Sequence, residues 1–410
     1  MKTQLECAKA GIITSEMRKV SKKEGKNAEE LRMNIEEGKI VIMKNLGIGY
    51  GLRTKLNANI GTSANKNSMN EELKKAKIAE KYGADTISDL SMSGNIDLIR
   101  KKIMSITNLP ITTVPIYQVI AEKKAYHNVK KNDIIEMIEK HCKEVNSIVL
   151  HAGFTLNMLE LLKRKKRIMG MVSKGGAITS AWMLRNEEEN PFLQMFSSIL
   201  PIIKKKDVVL SLGNTMRSGC IYDRMDKVQR MEIELNSKLS KIANEEGVQV
   251  IVEGMGGHVD PREIPRYVRV YKKKIEGRPL FISGPLPTDV AVGYDHIAGA
   301  VGAAIATGAG ADYLCYITPS EHLALPKPEH VKEGIIAYRI ACHIGDAIKY
   351  GLNKRDLMLA LRRAERDWEG QFKYALEPNN ARKIYSPAGK SCTMCGRYCA
   401  IAMMEKYLAN

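Results

Sequence analysis

The feature that most constrains the fold is a repeated alternation of short apolar runs with longer amphipathic stretches. It begins near residue 53 and continues to about residue 319. Stretches such as "NEELKKAKIAEKYG" have the spacing of apolar side chains that predicts helices, whereas the runs between them suit strands. Strands that alternate with helices indicate a parallel α/β fold, and this length favours a (β/α)₈ TIM barrel over an open sheet.

The chain offers more candidate strands than such a barrel needs. The runs are "TKLNANIG" (54–61), "ADTISDLSM" (84–92), "ITTVPIY" (111–117), "SIVLHAG" (147–153), "IMGMVSKGG" (168–176), "VVLSLGN" (208–214), "VQVIVEGMGG" (248–257), "LFISGP" (280–285) and "ADYLCYITP" (311–319). Since the ring holds eight strands, one run lies outside it. We expect it to be the first run or one of the last two.

Polar residues suited to chemistry lie at or just beyond the ends of these runs. They are Asn59, Tyr117, His151, Ser173, Arg217, Glu253 and His322. In a (β/α)₈ barrel, the loops that follow the strands meet at one rim and form the active site. The sequence therefore predicts that these side chains share one site.

Three cysteines, Cys392, Cys395 and Cys399, lie within the segment "CTMCGRYC" near the end of the chain. Three thiolates at this spacing can ligate three corners of a [4Fe–4S] cluster and leave the fourth iron open. An open iron is what radical S-adenosylmethionine (SAM) enzymes use to bind SAM. A zinc site, which would need a fourth ligand, and idle or redox-active thiols stay open as alternatives.

Beyond Pro326 the pattern becomes strongly helical, as in "HVKEGIIAYRIACHIGDAIKYG". A segment "SPAGKS" then precedes the cysteines. We therefore expect an N-terminal segment (1–50), a catalytic barrel (51–330), a helical subdomain (331–384) and a cluster-binding tail (385–410).

The composition is that of a soluble globular protein, with 44% hydrophobic and 27% charged residues among 410. No apolar run reaches the roughly 20 residues that a membrane span needs, and the start lacks a secretory signal, so we expect a cytoplasmic protein without membrane contact. The net charge of +18 comes mostly from lysines spread over helix-like segments. Few aromatic residues interleave them, so we expect no nucleic-acid partner.

The chain resembles the phosphomethylpyrimidine synthase family of thiamine biosynthesis, which are non-standard radical SAM enzymes. The motifs that carry the resemblance run almost from end to end: "AKAGIITSEM", "KLNANIGTS", "GADTISDLS", "TVPIYQ", "LHAG", "VSKGGAI", "SLGNTMRSG", "VEGMGGHV", "GPLPTDVAVGYDHI", "LCYITPSEHL" and "WEGQFKYALEPNNARKIY". We expect no counterpart of the large N-terminal domain that longer family members have.

The resemblance implies a barrel that uses SAM, a [4Fe–4S] cluster on the three tail cysteines and 5-aminoimidazole ribotide as substrate. It also implies a homodimer in which the tail of one copy serves the neighbouring active site, and an electron donor such as flavodoxin or ferredoxin. The family's substrate contacts correspond to Asn59, Ser88, Tyr117, His151, Ser173, Lys174, Gly175, Asn214, Arg217, Glu253 and Phe281. Its divalent-metal ligands, usually for zinc, correspond to His258 and His322. Glu253 and His151 are the candidates for proton transfer.

Several positions depart from the family pattern. Ser88 replaces a methionine, Asn214 replaces an aspartate and Phe281 replaces a tyrosine. One residue is inserted between Glu253 and His258. An amide cannot accept a proton as a carboxylate does, and a phenyl ring cannot donate a hydrogen bond. These changes favour the related 5-hydroxybenzimidazole synthase of anaerobic cobamide biosynthesis, which acts on the same ribotide, with a phosphomethylpyrimidine synthase as the alternative.

Two functions without radical chemistry also stay open. A zinc-dependent barrel lyase or hydrolase would use His258 and His322 and would need the cysteines only for structure. An RNA-binding module would use the positive charge, and salt-dependent retention on RNA would reveal it.

Overall fold

A computed structural model describes residues 2–164 and 166–408 of the chain. They form two compact units, of which one ends at Lys349 and the other begins at Tyr350. The strands, in chain order, are β1 (Ile40–Met43), β2 (Leu46–Gly49), β3 (Lys55–Ile60), β4 (Thr86–Asp89), β5 (Ile111–Thr113), β6 (Ser147–Leu150), β7 (Val209–Leu212), β8 (Val250–Glu253), β9 (Leu280–Ser283), β10 (Tyr313–Cys315), β11 (Pro387–Ala388) and β12 (Ser391–Cys392).

The first unit contains a closed barrel of eight parallel strands, β3 to β10, in which each strand pairs with the next and β10 returns to β3. The closing pair sets Leu314 beside Leu56. Most strand residues are buried, as expected for short apolar strands that have side chains inside the ring on one face and helices on the other. The predicted (β/α)₈ barrel is confirmed.

The run outside the ring is the fifth candidate, 168–176, so the expectation that it would be the first or one of the last two is wrong. Residues 166–173 form an irregular loop, and a helix begins at Lys174. The backbone N–H groups of Ile168 and Met169 donate to the carboxylate of Asp223, at 2.9 and 3.0 Å, and so do not join a strand ladder. Both side chains are exposed, which shows that an apolar run alone does not define a strand.

Helices make up most of the remaining secondary structure of the described residues. They are α1 (Gln4–Lys9), α2 (Ser15–Glu24), α3 (Ala28–Glu36), α4 (Met69–Tyr82), α5 (Ile96–Ile106), α6 (Pro115–Lys123), α7 (Lys131–Cys142), α8 (Leu156–Arg164), α9 (Lys174–Asn186), α10 (Pro191–Gln194), α11 (Phe196–Lys204), α12 (Lys227–Glu245), α13 (Ile264–Lys274), α14 (Asp295–Gly308), α15 (Pro328–Tyr350), α16 (Lys354–Ala364), α17 (Trp368–Tyr374), α18 (Pro378–Ile384) and α19 (Ala400–Leu408). Short 3₁₀ helices cover Tyr126–Asn128 and Gly396–Tyr398.

Helix α12 shows how the sequence specifies these elements. The carboxylate of Asp226 accepts a hydrogen bond from the Gln229 N–H at 3.1 Å and caps the helix. Apolar residues at helical spacing, among them Val228, Ile233 and Leu239, face the core. One carboxylate, that of Glu232, lies on the same buried face.

The N-terminal hairpin of β1 and β2 closes one end of the barrel. Its apolar side chains pack against Val209, Ile251 and Tyr313, which lie near the starts of their strands. The side chain of Gln249 fastens the hairpin, because it accepts from the Ile42 N–H at 2.7 Å and donates to the Ile42 carbonyl at 3.1 Å. The opposite end, where the strands finish, is therefore left for a site.

The second unit consists of short helices and the hairpin of β11 and β12. The ring of Tyr385 stacks on Trp368, with 4.5 Å between centroids, and meets Phe372 edge-on at 5.6 Å. Trp368 also donates from Nε1 to the carbonyl of Lys390 at 3.2 Å. In the part of the chain that the structure describes, no helix is long and apolar enough to cross a membrane.

Candidate active site

Three of the predicted site residues follow or end neighbouring strands: His151 follows β6, Arg217 lies in the loop after β7, and Glu253 ends β8. The positive charge of Arg217 contributes to lowering the pKa values of five titratable groups around it. These groups are Tyr117, His151, Glu232, Glu253 and Glu321. The rim therefore gathers residues from strands that are distant in sequence, as predicted from the barrel pattern.

His151 lies buried between two backbone segments. A Cβ at Gly175 would come within 2.2 Å of its ring and one at Gly213 within 2.9 Å, so both positions need glycine. Burial, with a smaller effect of the Arg217 charge, lowers the pKa of His151 to about 3. The imidazole is therefore neutral at neutral pH. Its buried Nδ1 has no hydrogen-bond partner in the described structure and remains free to accept or donate a proton.

Glu253 is held by the neighbouring strand β7 and the loop after it. Its Oε1 accepts from the Ser211 hydroxyl at 2.9 Å, and its Oε2 accepts from the Asn214 N–H at 3.4 Å. Burial raises the pKa of this carboxyl, although the Ser211 bond and the Arg217 charge oppose the shift. A carboxylate with a raised pKa at a barrel rim suits proton transfer.

The beginning of helix α9 provides a group of hydrogen-bond donors and a cation. The Ser173 hydroxyl caps the helix by accepting from the Gly176 N–H at 3.2 Å. The Lys174 ammonium lies 5.4 Å from the centre of the Tyr117 ring, and burial lowers the pKa of this lysine. Helix N-termini and a nearby lysine attract phosphate groups, so this corner and Arg217 can hold an anionic substrate end.

Tyr117 lies beside the same corner. Burial raises the pKa of its phenol to about 12, although Arg217 acts in the opposite direction. The group is therefore an uncharged phenol at neutral pH, and it also interacts with the backbone N–H of Gly175.

Asn57, which the sequence reasoning missed, joins several residues inside the barrel. Its Oδ1 accepts from the hydroxyls of Thr86 at 2.9 Å and Ser88 at 3.0 Å, and its Nδ2 donates to Asn59 Oδ1 at 2.8 Å. The signal was available, since an asparagine two residues before Asn59 in the same strand shares its face. Ser88 and Asn59 are thus held in place by another side chain of the barrel.

Asn214 and Phe281 also have partners within the protein. The Asn214 side chain donates to Glu232 at 2.6 Å and accepts from the Gly256 N–H at 3.2 Å. The Phe281 ring stacks on Tyr313 with 4.1 Å between centroids. Phe281 therefore contributes to the barrel core, and Asn214 ties the loop after β7 to the loop after β8.

A cavity of about 330 Å³ opens between the loops after β3 and β10. Asn59, Lys174, Glu321 and His322 are among the residues that line it. It extends from Lys174, at the beginning of α9, to the predicted metal ligand His322.

The two predicted metal ligands lie together. Nε2 of His258 and Nε2 of His322 are 3.2 Å apart. Nδ1 of His258 is 2.5 Å from Asp289, and Nδ1 of His322 is 3.6 Å from Asp295. The sequence reasoning missed both aspartates, although "GPLPTDVAVGYDHI" contains them.

This arrangement fits a divalent metal. A tetrahedral centre with bonds of about 2.0–2.1 Å holds two nitrogens roughly 3.3 Å apart, close to the observed separation. Carboxylates that face Nδ1 are the usual outer partners of metal-bound histidines. Within the described residues no group of three or more His, Cys, Asp or Glu side chains is placed to hold a metal. The candidate protein ligands at this position are therefore the two imidazoles.

The loop that leads to His258 has an unusual backbone. Met255 adopts a positive φ of 54°, and Gly257 follows with a φ of 84°. The loop is then fixed to its neighbour, because the His258 N–H donates to the Ser218 carbonyl at 3.1 Å and the Ser218 hydroxyl donates back to the His258 carbonyl at 2.5 Å.

The three tail cysteines are free thiols in one short segment of the second unit. Cys392 ends β12, and Cys399 directly precedes α19. The backbone N–H of Ala402, together with the Ser391 and Ile401 contacts, lowers the pKa of Cys399 and favours its thiolate. The described thiols do not converge into a ready-made metal group, so geometry alone does not assign them a cluster.

The chain is similar over its whole length to curated proteins from archaea. It is 44% identical to a phosphomethylpyrimidine synthase of Archaeoglobus fulgidus, over 98% of this chain and 99% of that protein. It is 46% identical to one of Methanocaldococcus jannaschii and 45% identical to one of Ignicoccus hospitalis, each over 98% of this chain and over 99% and 96% of those proteins.

These relatives overturn the leading functional prediction. The expectation of a 5-hydroxybenzimidazole synthase is wrong, and its alternative, a phosphomethylpyrimidine synthase, is better supported. The structure gives the physical reason: Ser88, Asn214 and Phe281, which suggested an altered pocket, are each engaged by another residue of the protein. Such substitutions can be absorbed without a change of reaction.

The match extends to the family level. A family model described as the radical SAM ThiC family covers residues 3–406. That range includes the barrel, its rim and all three tail cysteines. The chain belongs to the radical SAM ThiC family.

Proposed function

We propose that this chain is a phosphomethylpyrimidine synthase, which converts 5-aminoimidazole ribotide to hydroxymethylpyrimidine phosphate for thiamine biosynthesis. The observation that carries the proposal is the identity of 44% and 46%, over nearly the full length, to proteins of that name. The cationic corner formed by Arg217, Lys174 and the start of α9 supports it, since the substrate carries a phosphate.

Membership of a radical SAM family implies a [4Fe–4S] cluster and SAM. Cys392, Cys395 and Cys399 are the residues that would hold the cluster, and the lowered pKa of Cys399 fits a thiolate ligand. When bound, the cluster and SAM supply the radical chemistry, whereas the protein supplies orientation and electrostatics.

The protein's own residues have distinct parts in this proposal. Arg217, Lys174 and the N–H groups after Ser173 bind the phosphate and fix the ribotide. The neutral His151 and the carboxylate of Glu253 move protons at its ring or ribose. Tyr117 and Asn59 position the ligand, and Ser88, Asn214 and Phe281 support the site from within the barrel.

The proposed partners of the protein follow from its resemblance to the same family. The enzyme acts as a homodimer in which the tail of one copy serves the barrel of the other, and a flavodoxin or ferredoxin supplies the electron. The four-part division at residues 50, 330 and 384 also stays a prediction.

The product test decides between the two ribotide reactions. Anaerobically reconstituted enzyme, given SAM, a reductant and 5-aminoimidazole ribotide, is expected to release hydroxymethylpyrimidine phosphate, identified by mass spectrometry. Omission of SAM is the control. Release of 5-hydroxybenzimidazole, or no SAM-dependent product, would contradict the proposal.

We propose that His258 and His322 bind a divalent metal, with zinc as the expected ion. Purified protein is expected to contain about one equivalent of metal by mass spectrometry, and His258→Ala should remove it. Asp289→Asn should weaken binding by about 10–100-fold, because the carboxylate orients the imidazole. His330→Ala, at a histidine that contacts Ser320 at 3.1 Å, is the matched control. Full metal content in His258→Ala would contradict the assignment.

A further inference from the structure

One buried carboxylate has no part in the chemistry described so far. Glu232 lies on the core face of α12 and is 1% exposed. A buried carboxylate is costly to keep in the core unless hydrogen bonds compensate for its lost hydration. Its partners therefore indicate what it does.

All hydrogen bonds recorded for Glu232 come from three consecutive residues of the loop after β7. Oε2 accepts from Asn214 Nδ2 at 2.6 Å and from the Met216 N–H at 3.0 Å. Oε1 accepts from the Thr215 N–H at 2.5 Å. One side chain thus fixes the backbone and a side chain of residues 214–216.

The fixed loop contacts the main groups of the proposed phosphate and proton-transfer site. Arg217 is the next residue, and its Nη1 donates to the Asn214 carbonyl at 3.3 Å. The Asn214 N–H reaches Glu253 at 3.4 Å, and its side chain accepts from Gly256 at 3.2 Å. A shift of Asn214 would therefore move Arg217 and loosen Glu253.

We infer that Glu232 is a positioning residue, which acts through the loop of residues 214–216 to hold Arg217 against the phosphate of the ribotide. The inference rests on the proposed function, because it takes Arg217 as the phosphate ligand. Glu232 does not touch the substrate in this role. Its contribution is to fix the guanidinium in advance, so that binding does not have to order the loop.

The hydrogen-bond donors around Glu232 favour its ionised form, whereas burial opposes it. Burial raises the pKa of this carboxyl to about 7, although the three donors and Arg217 oppose the shift. Its three recorded partners are donors, so the ionised form matches them, whereas a protonated oxygen would bring its own hydrogen towards an N–H. Burial, together with the negative charge of Glu232, raises the pKa of the Tyr271 phenol on α13.

Glu232→Gln tests the inference without leaving a cavity. Whichever way the amide is turned, its NH₂ group faces the N–H of Thr215 or Met216. The KM for 5-aminoimidazole ribotide is expected to rise about tenfold or more, because small displacements of a positioning group have large effects. The KM for SAM should stay within about twofold. Glu234→Gln is the matched control, since Glu234 lies on the same helix but is exposed and pairs with Lys274 at 3.0 Å.

A double-mutant cycle separates positioning from general stability. In an Arg217→Ala background, Glu232→Gln should change the ribotide Kd, measured by anaerobic calorimetry, by less than about twofold. Equal losses in both backgrounds, or a ribotide KM within twofold of the wild type in the folded single variant, would overturn the inference.

If Glu232→Gln fails to fold by circular dichroism, Asn214→Ala replaces it, because it removes the side-chain donor to Glu232, together with the acceptor of the Gly256 N–H, and keeps both backbone bonds to Glu232. A rise of about threefold or more in ribotide KM then supports the inference, and an unchanged KM overturns it. A wild-type enzyme that neither binds nor converts the ribotide would refute the proposed function itself and the inference with it.

Discussion

Replacement of Cys392, Cys395 and Cys399 by serine is expected to abolish iron uptake and SAM cleavage. Serine keeps the size of the side chain but lacks the thiolate that an iron–sulfur cluster requires. Because the three residues lie in a short segment with exposed or half-buried side chains, the fold should tolerate the change. After anaerobic reconstitution, iron content should fall to background and turnover by about a thousandfold or more, since the radical chemistry belongs to the cofactor.

Cys7→Ser is the matched control, because Cys7 is a half-buried thiol of α1 in the first unit. It should keep full iron content and turnover. The triple-serine protein also tests the proposed dimer: mixed with a copy whose barrel is inactive, it should regain activity if each tail serves its neighbour. Normal SAM cleavage by the triple-serine protein would refute the cluster assignment.

The barrel could be predicted from the sequence because its strands are buried on both faces and are separated by helices with clear amphipathic spacing. The prediction of the fifth candidate strand was wrong because of a contact with a residue distant in sequence. Residues 168–176 are as apolar as a strand, but the carboxylate of Asp223 takes the N–H groups of Ile168 and Met169. That competition depends on a residue 55 positions away from Ile168, so no local pattern could reveal it.

The rim residues could be predicted in a similar way, because polar residues at strand ends meet in a barrel. Arg217, Glu253 and His151 are of this kind. This reasoning could not identify Glu232, because Glu232 lies at a core position of a helix, where the periodicity predicts an apolar side chain. Asp289 lies in the loop after β9 and Asp295 begins α14, and their pairing with the two histidines depends on how this segment folds back.

The functional prediction failed because substitutions were interpreted one at a time. Asn214 in place of an aspartate suggested a change of chemistry at the substrate ring. The structure shows its amide donating to Glu232, a bond that an ionised aspartate could not make. Whether a polar substitution faces a ligand or another side chain is a three-dimensional fact, and here several of them face side chains.

Glu253→Gln is expected to lower kcat by about 10²–10⁴-fold, the usual effect of losing a positioned acid or base. The ribotide Kd should change by less than about threefold, because the amide keeps the size, its oxygen can accept from the Asn214 N–H and its NH₂ group can donate to the Ser211 hydroxyl. Since burial raises the pKa of Glu253, the carboxylate needed as a base is lost as the pH falls through that raised value. The acid limb of the wild-type profile of kcat should therefore disappear in the variant, whereas protonation of Glu232, with its pKa of about 7, would still affect the ribotide KM.

Ser211→Ala provides the control for the electrostatic part of this prediction. The hydroxyl of Ser211 lies 2.9 Å from Glu253 and lowers the pKa of its carboxyl, so its loss should move the acid limb to higher pH. The plateau value of kcat should stay within a few fold, because the carboxylate itself is retained. A Glu253→Gln enzyme with kcat within about threefold of the wild type would exclude Glu253 from proton transfer and leave the neutral His151 as the remaining candidate at this rim.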